Sequence, residues 1–293
     1  MPTWDRHFVI DGLTISGIPF PDKRMEINNN MVLTRVEGKP ERCVARIRVK
    51  TKEKERIFAS EGAKGAKNRI LDFVCIYALR TYHEPTIQDA GASKVEEADR
   101  LGEAEGGIMI RVKTTYPEGK KKEHIEKESR QLAKAVEYFK SSEMLFISNS
   151  WLRNALRYFY FARINERLED KLINLIISME SMFFGKEERG ELRYRLSLRA
   201  ATLIGNVFDD KISQVFLDIK KLYDKRCDVV HGQVTKVTHN DINRLETYTK
   251  RAIESFVLML YSRSKEDILR LLDRCLVNKE SVVELREFTC REK

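Results

Sequence analysis

An arginine, a carboxylate and a histidine crowd together at one place in this chain, near the end of a long amphipathic run: Leu222-Tyr-Asp-Lys-Arg226-Cys227-Asp228-Val-Val-His231-Gly232. Upstream, Val215, Phe216, Ile219, Leu222 and Tyr223 recur at three- and four-residue steps, the pattern of a helix with one buried stripe. At about 100° per residue, Arg226 falls near the centre of that stripe. A guanidinium does not lose its proton and is costly to bury alone, so the site needs an acidic partner, a polar cleft or a bound anion. His231 follows five positions later, about 140° further round an ideal helix, and Gly232 marks where the helix should stop. Spacing alone is also satisfied by a structural arrangement, in which Arg226 pairs with a buried carboxylate and His231 caps the last turn.

The run YDKRCDVVHG resembles the signature of the Apea-like branch of the HEPN family, an arginine followed after four to six residues by a histidine and often by glycine. Two further stretches resemble the same branch in the same order, Leu172-Ile-Asn-Leu-Ile-Ile-Ser-Met-Glu180-Ser-Met-Phe-Phe-Gly185 and Glu191-Leu-Arg-Tyr-Arg-Leu-Ser-Leu-Arg199-Ala-Ala-Thr-Leu-Ile-Gly205. The resemblance covers roughly residues 165 to 235. It implies a helical domain, no cofactor, and either metal-independent cleavage of single-stranded RNA, in a defence or toxin setting, or binding of RNA or a nucleotide without cleavage. In the active members two domains pair, so that both copies of the arginine and histidine line one cleft; a homodimer is thus implied. Carried onto this sequence, His231 would move the proton of the ribose 2′-hydroxyl or of the leaving 5′-oxygen, Arg226 would hold the phosphate, and Asp228 could orient either. One position departs from the pattern: the residue after the arginine is mostly polar in active members, and here it is Cys227, a weaker hydrogen-bond donor.

Other charged and aromatic residues admit two readings. Glu180 and Arg199 lie in runs that are otherwise apolar on the same side, so pairing of Glu180 with Arg199 or with Arg226 is the least costly arrangement. Arg189, Arg193, Arg195 and Arg199 could form a track for an RNA backbone; for Arg193 and Arg195 a solvated helix face fits equally. Trp151, Tyr158, Phe159, Tyr160 and Phe161 read as core and dimer surface, or, flanked by Arg153, Arg157 and Arg163, as a platform for bases.

The elements that must position these residues divide at Pro117-Glu-Gly-Lys-Lys-Lys122. Beyond that point the chain has no proline and only Gly185, Gly190, Gly205 and Gly232 as breaks, the punctuation of a helical bundle. Helices are expected at about 122–141, 150–184 with a break near Asn165, 190–205, 211–231 and 239–277. Before it, Phe8–Ile15, Met31–Val36, Cys43–Val49 and Ile108–Val112 read as strands, Arg69–Arg80 as a helix on that sheet, and Thr86–Gly107 as a loop or short exposed helix. The expected class is α+β: a β-rich domain over 1–118 of unassigned role, open to a regulatory partner, then a HEPN-like helical domain over 119–293.

At 293 residues, 42% hydrophobic and 34% charged, the composition is that of a water-soluble chain, and the absence of an eighteen-residue apolar run or an apolar leader predicts a cytoplasmic protein with no membrane partner. A net charge of +9 suits a polyanionic partner, here RNA. Five scattered cysteines with no CxxC pair argue against a disulfide framework and a zinc site. No phosphate-binding loop, dinucleotide fingerprint, HExxH or DxDxDG occurs, which disfavours ATP-, NAD- and metal-dependent chemistry.

Overall fold

A computed structural model gives the architecture. It describes the backbone of residues 3–11, 24–28, 31–36, 39–50, 61–80, 86–94, 121–185, 188 and 190–289, and the side chains of 68–80, 133–185, 188 and 190–289. Two compact units divide after Ser141, and each is described by itself.

In the first unit the backbone runs as strands β1 (Thr3–Asp11), β2 (Arg24–Asn28), β3 (Met31–Val36), β4 (Lys39–Lys50) and β5 (Thr86–Lys94), in the order β2-β3-β4-β1-β5 with neighbours antiparallel. Residues 86–94, expected as loop or helix, are an edge strand with Thr86 opposite Asp11. The strand expected at Ile108–Val112 lies outside the described residues. Helix α1 (Glu61–Arg80) buries Ile70, Phe73, Val74 and Tyr77. The Phe73 ring meets Phe139, in the second half of helix α2 (Lys121–Ser148), edge to face at 5.6 Å.

Where side chains are placed the chain is 83% helical and holds no strand, so the expected α+β class with a β-rich domain over 1–118 is corrected: the protein is mainly helical. The physical reason lies in the burial pattern. Apolar side chains at three- and four-residue spacing, uninterrupted by proline after Pro117, bury one stripe per helix, and the placed core is built from those stripes.

The second unit continues through α3 (Ser150–Ile164), α4 (Leu168–Phe183), α5 (Leu192–Phe208), α6 (Ile212–Val230), α7 (His239–Leu260), α8 (Lys265–Arg274) and α9 (Lys279–Thr289). The break foreseen near Asn165 is the C-cap of α3. The single helix expected over 239–277 is two: Ser264 accepts the Asp267 backbone N–H at 3.2 Å and so caps a new helix, α8. Helix α9 was not expected; Asn278 starts it by accepting the Glu280 N–H at 2.8 Å.

Helix α4 is the hub, packed against α3, α5, α6 and α7. Its Leu172, Leu175, Ile176, Met179, Met182 and Phe183 are buried, and the Ser178 hydroxyl donates to the Ala155 carbonyl of α3 at 2.6 Å. Helices α5 and α6 then meet closely around Gly205. A Cβ built there would collide with the Ile212 side chain and lie 3.1 Å from the Asp210 carbonyl and 3.2 Å from the Ile212 Cα. Two of those three obstacles are backbone and cannot rotate away. Gly205→Ala should therefore destabilise the full chain by about 1–3 kcal/mol in urea unfolding, despite the better helix propensity of alanine; an unchanged or raised midpoint would show that the contact can relax.

Candidate functional site

Three side chains from two helices gather where α4 packs on α6: Glu180 near the end of α4, and Tyr223 and Arg226 one turn apart on α6. The i, i+3 spacing places the Arg226 guanidinium 5.8 Å from the Tyr223 ring centroid. Burial, with the Glu180 carboxylate beside it, pushes the Tyr223 hydroxyl up to about 12, so it stays protonated and donates a hydrogen bond to Glu180. Arg226 Nη2 stands 3.8 Å from Glu180 Oε2, close enough for charge attraction and too long for a hydrogen bond. The Arg226 side chain is 24% exposed, and its buried Nε has no hydrogen-bond partner among the described residues. The site thus holds a permanent cation, mostly buried and open to solvent on one side, with donors uncommitted. A phosphate or carboxylate group is what such a fork takes.

His231 is placed differently. Helix α6 ends as Gly232 suggested: Gly232 at φ +72 gives its N–H to the Val229 carbonyl at 3.1 Å, and Gln233 gives its N–H to Asp228 at 2.8 Å. Together these close a Schellman motif with His231 as C-cap. The His231 backbone N–H donates to Cys227 at 2.9 Å, whereas its exposed ring makes no hydrogen bond or ion pair among the described residues. Asp228 and Cys227 are half-buried, and their side chains likewise carry no hydrogen bond there. The far end of the loop is fastened by the capping box of Thr238 and Asp241 on α7; Lys225 Nζ donates both to Asp241 Oδ2 and to the Lys236 carbonyl at 2.7 Å.

Arg199, one of the two partners considered for Glu180, faces elsewhere. All five of its N–H groups are used: Nε and Nη2 on Asp273 at 2.7 Å, Nη1 and Nη2 on Glu188 at 2.8 Å, and Nη1 on the Phe183 carbonyl at 2.7 Å. Burial works against its charge, but the hydrogen bonds with Asp273 and Glu188 outweigh it and raise its pKa. The hydrogen bond from Arg199 in turn holds Glu188 below the usual carboxylate range, against the effect of burial. Arg199 is a bracket for α4, α5 and α8 and has no donor left for a ligand. The pairing of Glu180 is with Arg226.

Of the basic track, Arg193 is bound to Asp224 at 2.7 Å and Arg195 lies 3.6 Å from Glu188, so both are partly neutralised. Phe159 and Tyr160 are buried, and Trp151 packs edge-on to Phe256 at 5.7 Å with Lys265 Nζ 4.7 Å from its ring centroid. These rings belong to the core and its margin. Tyr223 carried a signal in the sequence, its three-residue offset from Arg226, but was read only as part of the apolar stripe. Glu188 and Asp273 carried none: one lies between α4 and α5, the other sits on a short helix far along the chain.

Among the described residues no three His, Cys, Asp or Glu side chains gather as a metal site, and no helix is long and apolar enough to cross a membrane. Comparison with family models, with curated proteins and with solved structures gives no match, so the HEPN resemblance rests on the residues quoted for it.

The Arg199 bracket has a measurable consequence. Arg199→Met leaves two carboxylates facing each other without their cation, and should lower stability by about 3 kcal/mol in urea unfolding. Arg199→Lys should recover only part of this, since an ammonium reaches one partner at a time. A loss no larger than that of an ordinary surface substitution would show that solvent and the other cations compensate.

Proposed function

We propose that the chain is a metal-independent endoribonuclease of HEPN type that cleaves single-stranded RNA as a homodimer, in a defence or toxin role. The observation that supports this most is Arg226: its guanidinium has uncommitted donors at a half-open position, one turn from the helix end that carries an exposed histidine. A phosphodiester supplies the acceptors this fork lacks. In the reaction, a base removes the proton of the ribose 2′-hydroxyl as the 2′-oxygen bonds to phosphorus; the bond from phosphorus to the 5′-oxygen breaks, and that oxygen takes up a proton. The products are a 2′,3′-cyclic phosphate and a 5′-hydroxyl. An imidazole titrating near neutrality suits either proton transfer, and a bidentate cation suits the charge that grows on the phosphoryl oxygens.

Arg226 and His231 diverge within one chain, since five residues turn an α-helix by about 500°, which is 140° past a full turn. Pairing of two copies supplies each cleft with both groups, and it also gives the exposed helix end a cover. A second reading, RNA binding without turnover, draws on two observations: Cys227 occupies the position that is mostly polar in active members, and the His231 ring has no side-chain partner to set its tautomer among the described residues.

Incubation of labelled single-stranded RNA with the full chain decides between them. Cleavage should persist in EDTA and leave cyclic phosphate ends. His231→Ala should slow it by about a hundred- to ten-thousand-fold while the melting temperature holds, and Arg226→Lys should rescue poorly relative to Arg226→Ala. Light scattering should give a dimer at micromolar concentration. Binding without products selects the second reading. Wild-type rates in His231→Ala, or loss of activity in EDTA, would overturn the assignment of these residues.

A further inference from the structure

Helices α5 and α6 leave a groove of about 550 Å³ on the outside of the bundle, floored by Tyr194, Leu198, Ala201, Ile212, Phe216 and Leu217. It lies at the opposite end of α6 from His231: fourteen residues separate Leu217 from His231, about 21 Å along the helix axis. It therefore belongs to neither the arginine site nor the loop behind it. Three of its side chains are open to solvent, Tyr194 at 49%, Ile212 at 43% and Leu217 at 57%, and they lie side by side on one concave surface. Tyr194 and Phe216 pack edge to face at 5.8 Å, which fixes the two walls relative to each other.

The rim is as telling as the floor. Lys220 holds its ammonium 5.9 Å from the Phe216 ring centroid, Lys221 lies one turn beyond Leu217, and Lys211 precedes Ile212 at the other end. None of the three makes an ion pair among the described residues. The nearby carboxylates are already engaged: Asp209 with Arg286 at 3.2 Å, Asp210 with Arg251, and Asp224 with Arg193 at 2.7 Å. The groove is thus apolar along its floor and uncompensated positive at both ends.

We propose that this groove is a docking site for an amphipathic α-helix of another protein, one with an apolar stripe flanked by acidic residues. Anchors at i, i+3, i+4 and i+7 of the incoming helix fill the floor, as helix-in-groove recognition requires. Carboxylates about two to three turns apart on it reach Lys211 at one end and Lys220 and Lys221 at the other, since nine residues of α6 span about 14 Å. Charge complementarity selects this occupant. A second copy of the chain would bring lysines against lysines, because a two-fold contact presents the same rim from both sides. RNA would place phosphates over a mainly apolar floor in which only the Tyr194 and Ser213 hydroxyls can donate to them.

The test uses the full chain and two fluorescein-labelled synthetic peptides of about 18 residues, both with leucine at the anchor positions, one flanked by glutamates and one by lysines. In anisotropy titrations the glutamate peptide should bind and the lysine peptide should not. Leu217→Ser, an exposed substitution that leaves the fold intact by circular dichroism, should weaken binding by about tenfold or more. Lys220→Glu combined with Lys221→Glu should reverse the preference between the peptides. The proposal is overturned if the glutamate peptide fails to bind, if Leu217→Ser binds it as well as wild type, or if the two peptides bind alike. It is overturned equally if Leu217→Ser dissolves a dimer in sedimentation, which would seat a second copy on the groove, or lowers affinity for labelled RNA, which would make it a nucleic-acid surface. RNA cleavage by Leu217→Ser should stay at the wild-type rate, which separates this proposal from the ribonuclease assignment.

Discussion

A single guanidinium holds the second unit in register. Arg199 spends its five donors on two carboxylates and a backbone carbonyl drawn from three different parts of the chain. The carbonyl of Phe183 sits at the end of α4, where helix geometry leaves acceptors without partners, and Arg199 satisfies it. Glu188 ties down the connection between α4 and α5, and Asp273 brings in α8. A buried charge is tolerated when every donor is matched, and a half-matched one is worse than an apolar side chain. Because this charge is complete, α4 and α5 approach each other at a defined angle. Glu180, one turn before the end of α4, is thereby set against α6.

Arg226 is the complementary case. It lies on the same bundle, on a helix face of similar apolarity, yet its nearest carboxylate stops at 3.8 Å and its Nε goes unmet. The difference is one of supply. Arg199 is served by the loop before α5 and by a helix that arrives late in the chain, whereas among the described residues Arg226 is served by Glu180 alone, which also accepts from Tyr223. Sharing one carboxylate between a phenol and a guanidinium leaves the cation underspent. That residue of unspent hydrogen bonding is what distinguishes a site that can receive an anion from a bracket that cannot.

The helical half of the chain was legible because its code is local. The stripe on α6, the stop at Gly232 and the break at Asn165 all follow from three- and four-residue spacing and from cap chemistry. The split between α7 and α8 was available in Ser264 followed three residues later by Asp267, but the apolar pattern runs through it and hid the cap. Of the candidate site, the pairing of Glu180 with Arg226 could be reasoned from cost alone. The partners of Arg199 could not, because Asp273 is separated from it by 74 residues and no periodicity connects them. The class of the whole was misjudged for a related reason: alternation in the first hundred residues was given the same weight as the longer helical runs that build the placed core.

The segment that follows His231 is fastened at both ends, by the Schellman closure on one side and by Lys225 and the Thr238–Asp241 box on the other, while Val234 between them is fully exposed. Fixed anchors decouple the length of such a loop from the helices it joins. Lengthening it costs only loop-closure entropy, about 0.6 kcal/mol for each doubling. Descendants of this chain can therefore rewrite the surface beside the histidine by insertion, one residue at a time, with the arginine and its helix left as they are.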